Sequence, residues 1–444
     1  MRIRRNATEA KIKGVDYKFF HKALKESMGY QLSDRNSLLL MLQSKLIPFF
    51  LRHPRLKDIV KRILDIVKRI LITFGLMKKT NKELNALECK TLPLIMKLKP
   101  ILVYAEAVAA CNMYCTMCGR QFHEIRAEDE GIMKLEIFKK AAEILSPGTS
   151  LSLFGRGETL MHPKYTEMLR IAKEKGASVG FNTNGKALTK EKAQKMVEYK
   201  QDNLVISFSA GRPETYERIH FGGSYKKLIE NIKTLNAFKE EHRSQVPSLA
   251  FEFVAMRSNI EELPDLVRLA ADLKITNILV IHVTAHNKEM AEREQLRQPQ
   301  YESITRQMFD QALCEAKQLG VMLTLPDHYN PYTKKFSDKK EIEDTKKMLA
   351  TCLQNDTMVC LEAWQTFYVK FNGKVMPCVI TNRPMGDLNE QTALEIWNGP
   401  LYQKFRERQR SKTKPPECQI CHLMPGNKEY NPKLADKSLY EIPL

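Results

Sequence analysis

Cys111, Cys115 and Cys118 lie in the run ACNMYCTMCGR, with three residues between the first pair and two between the second. Thiolates this close converge on one small inorganic centre. Three of them leave a four-iron cluster one protein ligand short. An iron with an open position binds and activates a small molecule, whereas a fully ligated cluster mostly carries electrons. Zinc needs a fourth protein ligand, and only His123 stands near the loop. A second set, Cys360, Cys378, Cys418 and Cys421, lies near the other end and closes on a CxxC. Four thiols suit a fully ligated cluster or a structural zinc ribbon. Glu158, after Gly157 in LFGRGETLMHP, is a carboxylate in a glycine-containing loop. His282 and His286 close an apolar run, where either could serve as a general base or a substrate contact.

The elements that position these residues follow from the patterning. Short apolar runs alternate with amphipathic segments from about 99 to 325. ILVYAEAV, SLSLFG, ASVGFNTNG, DNLVISFS, LAFEFVAM, NILVIHV and VMLTLP read as strands. The segments between them read as helices. Such alternation makes parallel βαβ units, and active groups sit where those strands end. WQTFYVKFNGKVMPC reads as a hairpin with Asn372-Gly373 at its turn.

In order and spacing, residues 99–425 resemble the radical S-adenosylmethionine (SAM) superfamily. The resemblance implies a [4Fe–4S] cluster on Cys111, Cys115 and Cys118, whose free iron chelates the methionine amine and carboxylate of SAM. Splitting SAM releases a 5′-deoxyadenosyl radical that removes hydrogen from a substrate. Met117 occupies the place of the family's adenine contact. LFGRGETLMHP is similar to the family's GGEP motif. Gly157 lets the backbone approach the ligand, and Glu158 accepts hydrogen bonds from the methionine ammonium. Arg156 and Thr159 depart from the usual Gly and Pro. Asn184 in FNTNG borders the cofactor, Ser207 or Ser209 approaches the ribose, and Met256 in VAMRSN contacts adenine through its backbone.

The C-terminal set resembles the auxiliary-cluster domain called SPASM, or Twitch in its short form. It implies one auxiliary [4Fe–4S] cluster on Cys360, Cys378, Cys418 and Cys421, with Cys352 as a substitute ligand and a role in electron transfer. The expected fold class is α/β, a partial (β/α)6 TIM-like barrel with a helical N-terminal extension and a small cysteine-rich SPASM/Twitch domain. The corresponding boundaries are 1–96 for the extension, 97–325 for the barrel, 326–350 for a linker, 351–430 for the cysteine-rich domain and 431–444 for a polar tail. The implied partners are an electron donor such as flavodoxin or ferredoxin, and a substrate that is a sugar-like small metabolite or a peptide side chain. The extension does not read as the strand-rich module expected for leader-peptide recognition, which weighs against the peptide.

The chain has 444 residues and a net charge of +19. Residues 1–100 hold 23 Lys+Arg against 8 Asp+Glu, a net of +15, and the remainder holds 48 against 44, a net of only +4. DIVKRIL occurs twice in tandem at 58–64 and 65–71, predicting a helix apolar on one side and basic on the other. Such a helix lies on an anionic membrane or a partner, or caps the body with its apolar side; nucleic acid is disfavoured. The start MRIRRNATEAKIKG has no apolar signal-peptide core, and the ten cysteines are clustered. Together these predict a cytoplasmic, oxygen-poor setting, peripheral to a membrane if the helix binds one. The alternative to an enzyme is a zinc or iron–sulfur adaptor that docks through this helix on a membrane or nucleic acid.

Overall fold

The computed structural model describes residues 81–122, 125, 127–326, 353–354, 357–381, 383–411, 414–415, 418 and 421. The tandem DIVKRIL helix, His123, most of the linker, Cys352 and the polar tail lie outside them.

Helix α1 (Asn81–Glu88) leads through an irregular segment to β1 (Leu102–Ala105). The chain continues through β2 (Tyr114–Cys115), α2 (Leu135–Ala142), β3 (Ser150–Ser152), α3 (Tyr165–Glu174), β4 (Ser178–Gly180) and β5 (Asn182–Thr183). Then come α4 (Lys190–Glu198), β6 (Asn203–Ser207), α5 (Pro213–Ile219), β7 (His220–Phe221), α6 (Tyr225–Glu241), β8 (Ser248–Ala255) and α7 (Leu263–Asp272). The alternation closes with β9 (Asn277–His282), α8 (Lys288–Glu294), α9 (Glu302–Leu319) and β10 (Met322–Thr324). After the linker come β11 (Leu353–Gln354), β12 (Thr357–Met358), α10 (Glu362–Gln365), β13 (Thr366–Val369), β14 (Lys374–Met376), β15 (Gly386–Asp387), α11 (Ala393–Trp397) and α12 (Pro400–Arg410).

Strands β1, β3 and β4 pair in parallel, as do β5, β6, β8, β9 and β10. Only Phe181 separates β4 from β5, and its carbonyl accepts from Val205 N at 3.0 Å, so the two sets meet in one interrupted strand. This is the partial barrel the alternation predicts. Within β6, Leu204 and Ile206 are buried while Val205 and Ser207 stay half-buried. The first pair packs under the helices and the second faces the lumen. Register carries that lumen row from Ser207 to Glu252 to Leu279.

Local sequence sets the helix ends. Thr189 and Ser224 cap α4 and α6 by accepting from backbone N–H groups three residues on. Thr392 and Glu395 form a reciprocal capping box on α11. Helix α9 stops at Gly320, whose φ of +71° suits glycine.

The C-terminal hairpin forms as expected, Tyr368 opposite Met376, with Gly373 at φ +93° closing the turn. Its position was not legible: β13 pairs in parallel with β1, in register from Leu102–Thr366 to Ala105–Val369. The hairpin therefore extends the barrel sheet. Residues 81–96, assigned by sequence to the extension, pack on this region. Cys89, Leu92 and Met96 are buried in the same core as Trp364 and Trp397. Arg406, fully buried, donates to the carbonyls of Leu94, Ala363 and Trp397 and stacks on Trp397 and Tyr402. A buried guanidinium is tolerated here because carbonyls receive its donors. Cys89 is buried, as its apolar character suggests, whereas Cys314 is exposed on α9. The difference follows from helix phase, with Thr305, Met308, Phe309, Ala312 and Ala316 taking the inner face of α9.

Candidate functional site

The cysteine loop leaves β1 and is fastened in two places. Ala109 N donates to Gly131 O at 2.8 Å, and β2 pairs antiparallel with β7, placing Cys115 opposite His220. Cys111, Cys115 and Cys118 are all half-buried and unbridged. Burial foremost raises the Cys111 thiol. Burial, followed by the neighbouring Cys118 and Cys111, pushes Cys115 up to about 12. The three thiols thus lie near enough to act on one another's charge, in surroundings that disfavour bare thiolates. Three thiols on one short loop are a donor set that suits an iron–sulfur cluster with one iron left open.

Glu158 sits at the end of the β3 loop and is 2% exposed. Its Oε1 accepts from Leu160 N at 2.9 Å and Thr183 Oγ1 at 2.7 Å, and its Oε2 accepts from Asn184 N at 2.8 Å. Burial raises its pKa, opposed by these three hydrogen bonds and Lys192. The carboxylate is therefore rigidly aimed, and Oε2 has capacity for a further donor. Gly157 makes the close approach: a Cβ there would lie 2.1 Å from Ala110 O. Asn184 joins the two motifs, donating through Nδ2 to Asn112 Oδ1 at 2.8 Å and towards Cys111 Sγ at 3.8 Å.

The remaining sequence candidates divide. Met117 and Met256 fall in one small apolar cluster with Ile219, Val283 and Phe122. Ser207 faces the lumen, but Ser209 is fully buried and its Oγ accepts from Val254 N at 3.2 Å. His286 stacks on Phe122 at 5.4 Å and packs on Gly119, beside the cysteine loop. His282 ends β9 opposite Ala255.

Glu252 and Glu106 escaped the sequence reading, in which His220 carried less weight than His282 and His286. Glu252 stands in the lumen, where Asn182 Nδ2 donates to it at 2.7 Å and burial raises its pKa. Glu106, buried after β1, accepts from Arg156 N at 3.1 Å and lies beside Tyr368 of the hairpin. His220, 1% exposed, lies against Cys115. Strand parity marks the inner face of β8, but no pattern links β1 to β13 or β2 to β7 across so many residues.

In the C-terminal set, Cys360, Cys378, Cys418 and Cys421 are half-buried. Burial is the main cause pushing Cys360 up to about 11, with Cys421 close by. Cys378 is pushed up to about 12, mainly by burial, with Cys360 and Cys418 adding to it. The four thiols therefore lie near enough to act on one another's charge. Backbone N–H groups of Ile380 and Thr381 donate to Cys378, and Gln409 Nε2 donates to Cys418 Sγ at 2.9 Å.

A family model described as the radical SAM superfamily matches residues 106–270, and one described as an iron–sulfur cluster-binding domain, SPASM, matches residues 360–422. Fold and site thus define an iron–sulfur enzyme of the SAM-cleaving barrel type. The chain belongs to the radical SAM superfamily and carries a C-terminal SPASM domain. It is 25% identical over 326 residues to a tungsten-containing aldehyde ferredoxin oxidoreductase cofactor-modifying protein of Pyrococcus furiosus, covering 72% of this chain and 87% of that protein. It is 23% identical over 336 residues to a PqqA peptide cyclase of Granulibacter bethesdensis, covering 72% and 79%. The fold matches Streptococcus suis SuiB bound to its precursor peptide SuiA with a TM-score of 0.54 at 15% identity, covering 79% of this chain and 80% of that one. Among the described residues no helix is long and apolar enough to cross a membrane.

Proposed function

We propose that Cys111, Cys115 and Cys118 hold the SAM-binding [4Fe–4S] cluster, and that Cys360, Cys378, Cys418 and Cys421 hold one fully ligated auxiliary [4Fe–4S] cluster. When bound, the first cluster and SAM supply a 5′-deoxyadenosyl radical for hydrogen abstraction. Glu158 accepts the methionine ammonium on Oε2, held in aim by Thr183, Asn184 and Leu160. Gly157 lets the loop close on the ligand, Met117 and Met256 enclose the adenine, and Ser207 meets the ribose. Asn184 couples the carboxylate to the cysteine loop. A cluster held by Cys360, Cys378, Cys418 and Cys421 would supply electron transfer to balance substrate oxidation.

The observation that carries this reading is the immobilised Glu158 joined through Asn184 to the loop of three thiols. The substrate class it supports best is a peptide side chain, because the PqqA cyclases act on a peptide and SuiB shares the fold. A cofactor is the second reading, supported by the name of the Pyrococcus relative. The test is anaerobic reconstitution with dithionite and SAM. Formation of 5′-deoxyadenosine is expected, and its absence from material carrying the full complement of iron contradicts the reading. Deuterium transfer into 5′-deoxyadenosine from a labelled peptide, against a labelled cofactor, separates the two substrate classes. A flavodoxin or ferredoxin is the expected donor. The basic helix stays a proposed membrane contact, contradicted if deleting residues 1–80 leaves liposome binding unchanged.

A further inference from the structure

His220 is a buried histidine on the two-residue strand β7, whose partner strand carries Cys115 directly opposite. The ladder is extended by Thr116 N, which donates to Ile219 O at 2.9 Å, so the ring cannot drift from the cysteine loop. Its two nitrogens have different partners. Ser209 N lies 3.1 Å from Nε2, and a backbone N–H can only donate. Nε2 therefore accepts and carries no proton. A neutral imidazole with an accepting Nε2 holds its hydrogen on Nδ1. Nδ1 lies 3.3 Å from Cys115 Sγ, within range of an N–H···S bond.

Resting on the assignment of Cys115 as a cluster ligand, we propose that His220 is a positioning residue that donates Nδ1–H to Cys115 Sγ and raises the reduction potential of the SAM-binding cluster. Hydrogen bonds to cluster sulfurs stabilise the more negative, reduced state, so their loss makes reduction harder. The backbone N–H donated to Nε2 leaves the ring a single proton, so it is neutral. The sulfur thus receives a dipole from the ring and no full charge. Tyr216, packed 4.9 Å from the ring, holds its other side. Ser209 gains a role here: its backbone N–H fixes the tautomer, although its hydroxyl is committed to β8.

Two substitutions separate the donor from the scaffold. His220→Gln places an amide oxygen where Nε2 accepts from Ser209 and leaves no donor at the Nδ1 position. His220→Asn keeps an N–H near the Nδ1 position. Both are made in the full-length protein, reconstituted anaerobically, and titrated by EPR on the signal whose g-values move when SAM is added. For His220→Gln the expected reduced-to-oxidised ratio at fixed potential falls about tenfold, roughly 59 mV for one electron, with iron content unchanged. His220→Asn should recover most of that shift. A Gln variant that titrates with the unsubstituted protein overturns the proposal, as does an Asn variant displaced as far as Gln. Selective 15N-histidine labelling of the unsubstituted protein reads the contact without any substitution. A histidine nitrogen hyperfine-coupled to the SAM-responsive signal supports the bond, and its absence overturns it. Absence of any SAM-responsive signal from iron-loaded protein instead overturns the assignment of the cysteine loop, and this proposal with it.

Discussion

The molecule holds two sets of thiols, and they are built differently. The barrel set comes from one loop of eight residues, and its sulfurs sit beside an aimed carboxylate and an asparagine bridge. The C-terminal set is gathered from a hairpin strand end, a preceding turn and a CxxC beyond α12. It has four thiols rather than three. Its sulfurs receive N–H donors from Ile380, Thr381 and Gln409, and Lys414 adds positive charge beside Cys418 and Cys360. Donors and cations near the sulfurs favour the reduced cluster. On the proposed assignment the difference teaches a division of labour, with three thiols leaving a site open to a small molecule and four closing a site suited to electron transfer.

Breaking either set should give different failures. Cys115→Ala has the largest expected effect, loss of 5′-deoxyadenosine formation in a chromatographic assay with dithionite and SAM. Cys418→Ala should lower the iron content from about eight to about four per chain while SAM cleavage persists without substrate product. A variant that still completes its product at the normal rate contradicts the relay role. Arg406→Met tests whether residues 81–98 and α12 act as one unit around the auxiliary set. Leaving several buried carbonyls unmatched should cost about 3 kcal/mol or more, read as a lower urea midpoint at unchanged slope. Glu158→Gln sharpens the contrast most gently. Its amide places a donor among the N–H groups of Leu160 and Asn184, and it loses the charge-assisted contact to SAM. The expected fall in kcat/KM for SAM is about 10- to 100-fold, roughly 1.5–3 kcal/mol.

Much of the barrel was legible because parallel strands bounded by amphipathic helices write their pattern locally. The runs around Leu151, Val179, Ile206, Phe253 and Val280 all became strands. The thiols were legible from spacing alone. What escaped was whatever depends on distant pairing. The parallel union of β13 with β1 joins residues some 264 positions apart, from Leu102 to Thr366. It carries Tyr368 beside Glu106, which no local pattern encodes. No local pattern marks the role of His220, because its neighbour across β2 is about a hundred residues earlier. Ser207 and Ser209 share parity along the chain, and burial and the hydrogen bond to Val254 tell them apart.

The central claim is that one cluster has an iron no side chain occupies and the other has none. Mössbauer spectra of anaerobically reconstituted, 57Fe-enriched protein test it directly, recorded with and without SAM. The account predicts that SAM changes the coordination of one iron in one cluster and leaves the second cluster untouched. A spectrum in which no iron responds to SAM, or in which both clusters respond alike, contradicts it.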